Sequence, residues 1–241
     1  MHDEPLYRTD PYARSAEGRI TALTPEGGII VTPHLFYPQG GGQPGDSGWL
    51  VAEGQRIEIV TTLRSPEGQI VLVPASSDAL PAPGTPVAMQ LDWACRHAHM
   101  RIHTALHLLS VVIPLPVNGG QIRAGTGRLD FDTSASPDID FAAAEARLNA
   151  LIEEDLPVTT RWITAAELDA NPQLIKTMSV RPPIGQGQVR LVRIGTPDHQ
   201  VDLQPCGGTH VARTAEIGAI RFARIENKGR QNRRVNLVLE P

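Results

Sequence analysis

Two short motifs, far apart in the chain, carry residue types that can do metal chemistry. The first is His103-Thr104-Ala105-Leu106-His107. On a helix, a spacing of four places both imidazoles on one face, about 6 Å apart along the axis. The second is Cys206-Gly207-Gly208-Thr209-His210, a thiolate and an imidazole flanking a pair of glycines able to wrap both side chains onto one ion. Each half alone is unremarkable: paired histidines arise by chance, and a Gly-Gly turn with a buried Cys and a surface His is common. Together they make a soft nitrogen and sulfur set suited to tetrahedral zinc. A local rival stays open at this point. Cys95, His99, His103 and His107 are all spaced by four, but twelve residues of helix rise about 18 Å, too far for all to reach one ion. An adjacent pair such as His99 with His103 is the alternative, with His97 and His99 otherwise solvated or packing, and Cys95 a small core residue. A metalloprotease is disfavoured, since Thr104 stands where that motif needs a Glu base.

Two further features have the chemistry of contact surfaces. The run Gly40-Gly41-Gly42-Gln43-Pro44-Gly45-Asp46-Ser47-Gly48 permits positive φ and close backbone approach to a ligand, with Gly41, Gly42 and Gln43 at its tip; a plain β-turn is the equal alternative. Arg221, Arg224, Lys228, Arg230, Arg233 and Arg234 cluster near the C-terminus, where Asp and Glu are sparse. Arginine suits bidentate phosphate contact. A solvated hairpin face is the other reading.

The elements that must position these residues follow from composition and punctuation. The 241 residues carry a net charge of -4, so a nucleic-acid partner would need a local basic patch rather than a basic coat. Aromatics make up 4%, too few for a repeated base-stacking platform. Two cysteines exclude a disulfide scaffold. The polar start and the lack of an apolar run long enough to span a bilayer point to the cytoplasm. Short apolar runs over 19–33, 49–52, 56–63 and 69–73, separated by Gly, Pro and Ser, predict a small barrel or sandwich. The proline-rich stretch from Asp78 to Pro86 is the expected boundary. Trp93 to Val112 holds no Gly or Pro and predicts one helix, ended by Pro114 and Pro116. Asn118-Gly119-Gly120 predicts a turn into a strand pair over 121–131. A helix over 138–156 capped by Asp140, strands over 157–163 and 188–194, a short helix over 165–169, and strands over 218–225 and 233–239 complete the reading. Strands and helices are segregated, so the fold class is α+β: a β-barrel domain over 1–90 with the Gly-rich loop, then an α+β domain over 91–241.

Taken together, His-Thr-Ala-Leu-His-Leu-Leu, the GGGQPGDSG loop and Cys-Gly-Gly-Thr-His resemble the AlaX family, freestanding alanyl-tRNA editing proteins similar to the editing domain of alanyl-tRNA synthetase. Glu216-Ile217-Gly218-Ala219-Ile220 and Ile225-Glu226-Asn227-Lys228-Gly229 are similar too, so the resemblance covers nearly the whole chain. It implies a small β-barrel followed by an α+β editing domain. It implies hydrolysis of a wrong amino acid, serine or sometimes glycine, from tRNA(Ala), with no role for DNA or membrane. By similarity, His103, His107, Cys206 and His210 bind zinc. Thr104 takes the family's hydroxyl position beside the first ligand, and Gln121 matches a polar pocket residue; both are expected to meet the substrate. Gly41, Gly42, Gln43, Arg230 and Arg233 are expected to contact substrate or tRNA. Arg128, Asp130 and Asp132 lie in a stretch similar to the family's Arg-Phe-Asp-Phe, with Leu129 departing from it. The alternatives are a non-catalytic zinc-stabilised RNA-binding module and a metallohydrolase of small esters.

Overall fold

The structure is a computed structural model, and it describes residues 4–134, 138–176, 187–229 and 231–240. The chain divides into two compact units, Met1–Ala98 and His99–Pro241.

The first unit is a closed antiparallel barrel preceded by a single helical turn, α1 (Leu6–Thr9). Its strands are β1 (Ser15–Leu23), β2 (Ile29–Thr32), β3 (Gly48–Ala52), β4 (Gln55–Arg64), β5 (Ile70–Pro74) and β6 (Pro86–Leu91), in the order β1-β2-β5-β4-β3-β6. Alternation along the strands turns Ile20, Ile29, Val31, Leu50, Ile59, Leu72, Val87 and Met89 inward to fill it. The proline-rich stretch lies inside this unit, as the loop from β5 to the strand that closes the barrel. Gly45 has a packing reason to lack a side chain: a Cβ there would sit 2.0 Å from the Thr62 carbonyl oxygen.

The second unit is built around α2 (Trp93–Val112), whose span matches the one expected from sequence; the division between the units falls within it. Asp92 caps it, its carboxylate accepting from the Cys95 N–H at 3.1 Å. From Ile102 to Ser110 every residue is buried. Polar side chains there are costly unless each finds a partner. Two sheets follow. One has the order β12-β13-β8-β7, from β7 (Val117–Arg123), β8 (Thr126–Asp132), β12 (Ile220–Asn227) and β13 (Asn232–Leu239). The other has the order β11-β10-β9, from β9 (Val158–Thr164), β10 (Gln188–Gly195) and β11 (Gln200–Pro205). Helix α3 (Phe141–Glu153) is capped by Asp140, which accepts from the Ala143 N–H. Helix α4 (Ala165–Asp169) starts on a Thr164–Glu167 capping box.

Gly127 of β8 is where α2 comes closest, since a Cβ would lie 2.5 Å from Ile102 Cγ2 and 3.3 Å from Leu106 Cδ1. Two local expectations are corrected. Asn118-Gly119-Gly120 is not a turn but part of β7, and the chain reverses at Ala124-Gly125, where Gly125 takes φ 75°. Strand β11 was not foreseen. It buries Asp202 and Gln204 and leaves Val201 and Leu203 half-buried, the reverse of an ordinary apolar alternation.

Candidate metal centre

Helix α2 supplies His103 and His107 one turn apart, with ring centroids separated by 5.3 Å. The segment after β11 supplies Cys206 and His210. Cys206 Sγ lies 3.3 Å from His103 Nε2 and 3.3 Å from His210 Nε2. One ligand atom from each of the four residues falls within 4.8 Å of all the others. A tetrahedral zinc with bonds of roughly 2.0–2.3 Å sets its ligand atoms about 3.3–3.6 Å apart. The residues therefore fit a zinc-sized ion, and the alternative pairing of His99 with His103 is not the one the fold assembles.

What surrounds the four residues fixes which nitrogen each ring offers. Thr104 is fully buried. Its hydroxyl donates to the Met100 carbonyl at 2.9 Å and accepts from the Val211 N–H at 3.3 Å. Its remaining lone pair faces His210 Nδ1 at 3.2 Å. With its only proton used, Thr104 can only accept from His210, so Nδ1 carries the proton and Nε2 presents its lone pair to the centre. The described partners of the Thr104 hydroxyl are Met100, Val211 and His210, so it stands directly against a metal ligand.

His107 is oriented by a carboxylate instead. Its Nδ1 donates to Asp202 Oδ2 at 3.0 Å. Asp202 also accepts from Lys176 Nζ at 2.6 Å and Gln204 Nε2 at 2.8 Å. The Cys-Gly-Gly turn is held by the buried Arg190, which donates to the carbonyls of Cys206 and Gly208, both at 2.9 Å. The Gly208 N–H points to Cys206 Sγ at 3.5 Å.

The electrostatics follow from this geometry. Burial alone would raise the Cys206 thiol, but the imidazoles of His103 and His210 overcome it and hold the thiol well below its ordinary value. Burial, then His103, pushes His210 down to about 3, so it is a neutral ligand. Burial also opposes charge on His107, yet the hydrogen bond to Asp202 and the Cys206 sulfur raise it to about 9. Asp202 is brought down to about 2 despite its burial, by His107 first and then by Lys176. Without metal, the site holds a thiol drawn toward its thiolate form, the neutral His210 imidazole and the His107–Asp202 imidazolium–carboxylate pair.

The other expected site residues lie elsewhere. Gln121 sits on β7 and accepts from Arg128 Nε at 3.3 Å; none of its described contacts reaches the four ligands. It shares a sheet face with Arg128, opposite the one that Gly127 turns toward α2. In the first unit, Gly41 and Gly42 form a two-residue turn with φ 57° and 82°, closed by paired backbone bonds between Gly40 and Gln43. Gln43 is fully buried. Arg233 lies on β13 at the parity of Val235 and Leu237, away from Arg234. Arg230 lies outside the described residues. The basic tail is less bare than its sequence reads, because folding brings Glu240 to Arg221, Glu226 to Arg224 and Lys228, and Asp130 to Arg234. Asp202 and Arg190 were missed in the sequence. The available signal was an acid and an amide alternating with Val201 and Leu203 just before Cys206.

The threonyl and alanyl tRNA synthetase second additional domain family matches residues 189–236. The alanyl-tRNA editing protein AlaX-M of Methanosarcina acetivorans is 32% identical, covering 98% of this chain and 98% of its own. AlaX-L of Pyrococcus horikoshii is 31% identical over 98% of this chain and 57% of its own length. The alanine–tRNA ligase of Pyrobaculum arsenaticum is 30% identical over 92% of this chain, a segment that makes up 25% of the ligase. With near-complete coverage in both directions at that identity, the chain belongs to the AlaX family of alanyl-tRNA editing proteins.

Proposed function

We propose that the chain is a trans-editing hydrolase that deacylates mischarged tRNA(Ala), with serine the amino acid it removes best and glycine a lesser substrate. Two things support this: membership of the alanyl-tRNA editing family and the convergence of His103, His107, Cys206 and His210. The convergence carries the reading, because four buried or half-buried ligand atoms with no carboxylate among them have the chemistry of a zinc site. Bound there, zinc supplies Lewis acidity toward an ester carbonyl or a water.

The chain's own residues then have distinct tasks. Cys206 Sγ stands equally close to His103 and His210. Asp202 holds His107 by its Nδ1–H, and Thr104 holds His210 by its Nδ1–H, so both rings keep a fixed tautomer. Arg190 keeps the Cys206–Gly208 turn in register. Serine differs from alanine by one hydroxyl. A site whose buried polar groups pair with that hydroxyl rejects alanine by roughly 10⁴-fold, which is why serine is preferred to glycine in this reading. Thr104, Gln121, Gly41, Gly42 and Gln43 keep their place in it as contacts to the aminoacylated end, and Arg230 and Arg233 as contacts to the tRNA.

One observation favours a second reading. Four protein ligands close a tetrahedral zinc, and closed sites are commonly structural. A non-catalytic zinc-stabilised RNA-binding module would have the same cluster. Incubating Ser-tRNA(Ala) and Ala-tRNA(Ala) with the zinc-loaded protein separates the two. Rapid release of serine with alanine retained is expected, with uncharged tRNA(Ala) competing. Stability of both esters would contradict the enzyme.

A further inference from the structure

The sheet face that carries Gln121 forms a groove of about 380 Å³, and its lining includes Arg123, Arg128, Arg234, Gln121, Asn236 and Thr126. Among the described residues no carboxylate lines it. A second groove, of about 430 Å³, lies by α3 and β12 and is lined by Glu145, Glu153 and Glu240 along with Arg221. In a chain of net charge -4, the first groove is a local reversal of sign.

The register explains how the groove is built. Gln121, Arg128, Asn236 and Arg224 stand side by side across β7, β8, β13 and β12, and Asp130, Arg234 and Glu226 form the next row. Four strands at about 4.8 Å spacing make a stripe roughly 14 Å wide. Asp130 works from beneath. It accepts from Arg128 Nη1 at 2.8 Å and takes a two-point grip from Arg234, at 2.7 and 2.9 Å. Gln121 takes Arg128 Nε. Each guanidinium is held in place with one terminal nitrogen, Arg128 Nη2 or Arg234 Nη1, that has no partner among the described residues. Arg123 makes no ion pair among the described residues and adds a third charge. With Arg224 and Glu226 of the two rows counted, four guanidiniums stand against two carboxylates, and Glu226 is also paired with Lys228, so the face stays cationic. Guanidiniums already ordered lose little freedom when they bind an anion.

We infer that this groove is a phosphate-binding track for the RNA backbone of the tRNA substrate, with Arg123 and Arg128 its principal contacts and Arg234 its third. The inference rests on the proposed function for the identity of the RNA. It extends the tRNA footprint beyond Arg230 and Arg233 to the open face of the sheet. The near absence of aromatics makes the contact one to phosphates rather than to stacked bases.

The test uses the zinc-loaded full chain and unacylated tRNA(Ala), with affinity measured from 50 to 200 mM salt. Arg123→Ala and Arg128→Ala are each expected to weaken binding several-fold and to lower the slope of log K against log salt by about 0.7–0.9, additively in the double variant. Arg128→Ala is expected to fold, because Arg234 still neutralises Asp130. Metal content and kcat for Ser-tRNA(Ala) should stay unchanged while KM rises. An unchanged slope in the double variant overturns the track, and so does an equal loss from Arg161→Ala on β9, which would reduce the effect to net charge. The two readings fail separately. Deacylation by wild type with groove-independent binding removes the track alone, whereas groove-dependent binding without deacylation removes the enzyme alone.

Discussion

Each unit buries a cluster of polar side chains, and the two are finished differently. In the barrel, Asp46 and Arg96 are almost wholly excluded from water. Arg96 spends its donors on Asp46, on the Pro11 carbonyl at 3.0 Å and on the Leu35 carbonyl at 3.1 Å, while Asp46 also accepts from the Tyr37 N–H. Each of the three guanidinium nitrogens faces an acceptor, and the cluster ties the Gly-rich loop to the start of α2. In the second unit the arrangement is inverted. The outer nitrogens of His107 and His210 are held by Asp202 and Thr104, while a ring nitrogen from each of three imidazoles and a sulfur converge within 4.8 Å. Without metal, the proton that His107 gains lies among these acceptors; a metal ion would displace it and meet all four. A buried polar cluster that closes on itself is structural; one whose inward atoms are all potential ligands is a candidate metal site.

Substitutions can break this comparison. Cys206→Ala is expected to take zinc from about one per chain to near zero. Editing should be lost with it while the barrel stays folded, checked by metal analysis and by deacylation of Ser-tRNA(Ala). Asp46→Ala should do the opposite. It leaves Arg96 buried without its counter-charge and is expected to cost about 3–5 kcal/mol in denaturant unfolding, with zinc per folded chain unchanged. If Asp46→Ala lowered zinc stoichiometry in the folded fraction, the two clusters would not be the separate things described here.

Finer changes sharpen it. Asp202→Asn and Thr104→Val keep all four ligands but loosen a ring. Each should weaken zinc affinity, within about 10–100-fold, with the charged partner of His107 giving the larger effect. Competition with a chelator measures this, and undiminished affinity in Thr104→Val would contradict its hold on the His210 ring. The smallest expected effect is in pH. For metal-free protein, His107 is raised from 6.5 to about 9, so its contribution is complete below 6.5 and lost as pH rises through 9. Asp202 is lowered from 3.8 to about 2, so its contribution is present above 3.8 and lost as pH falls through 2. Tm of the metal-free chain should therefore fall between pH 6.5 and 9, and zinc binding near neutral pH should release about one proton, from His107. A flat Tm over that range would contradict the His107–Asp202 pairing.

Much of this was legible in the sequence where local rules act alone. Asp92 and Pro114 bracket α2, Asp140 caps α3, and the two ligand motifs are contiguous. What was not legible depends on distant partners. Strand β11 hides because it buries Asp202 and Gln204 for the sake of a helix residue, so its alternation reads inside out. Thr104 looks like a free hydroxyl until Met100, Val211 and His210 surround it. The pair Gly119-Gly120 looks like a turn, yet both residues run within β7 beside β8. Of the acids that partner the basic tail, Asp130 and Glu240 come from either side of it in the chain and only Glu226 from within it.

The central claim is that two remote segments fold onto one ion through three nitrogens and one sulfur. X-ray absorption at the zinc edge of the purified protein tests it most directly. The account predicts one sulfur at about 2.3 Å and three nitrogens at about 2.0–2.1 Å. A shell of oxygen and nitrogen with no sulfur, or a protein that takes up no zinc, would contradict it.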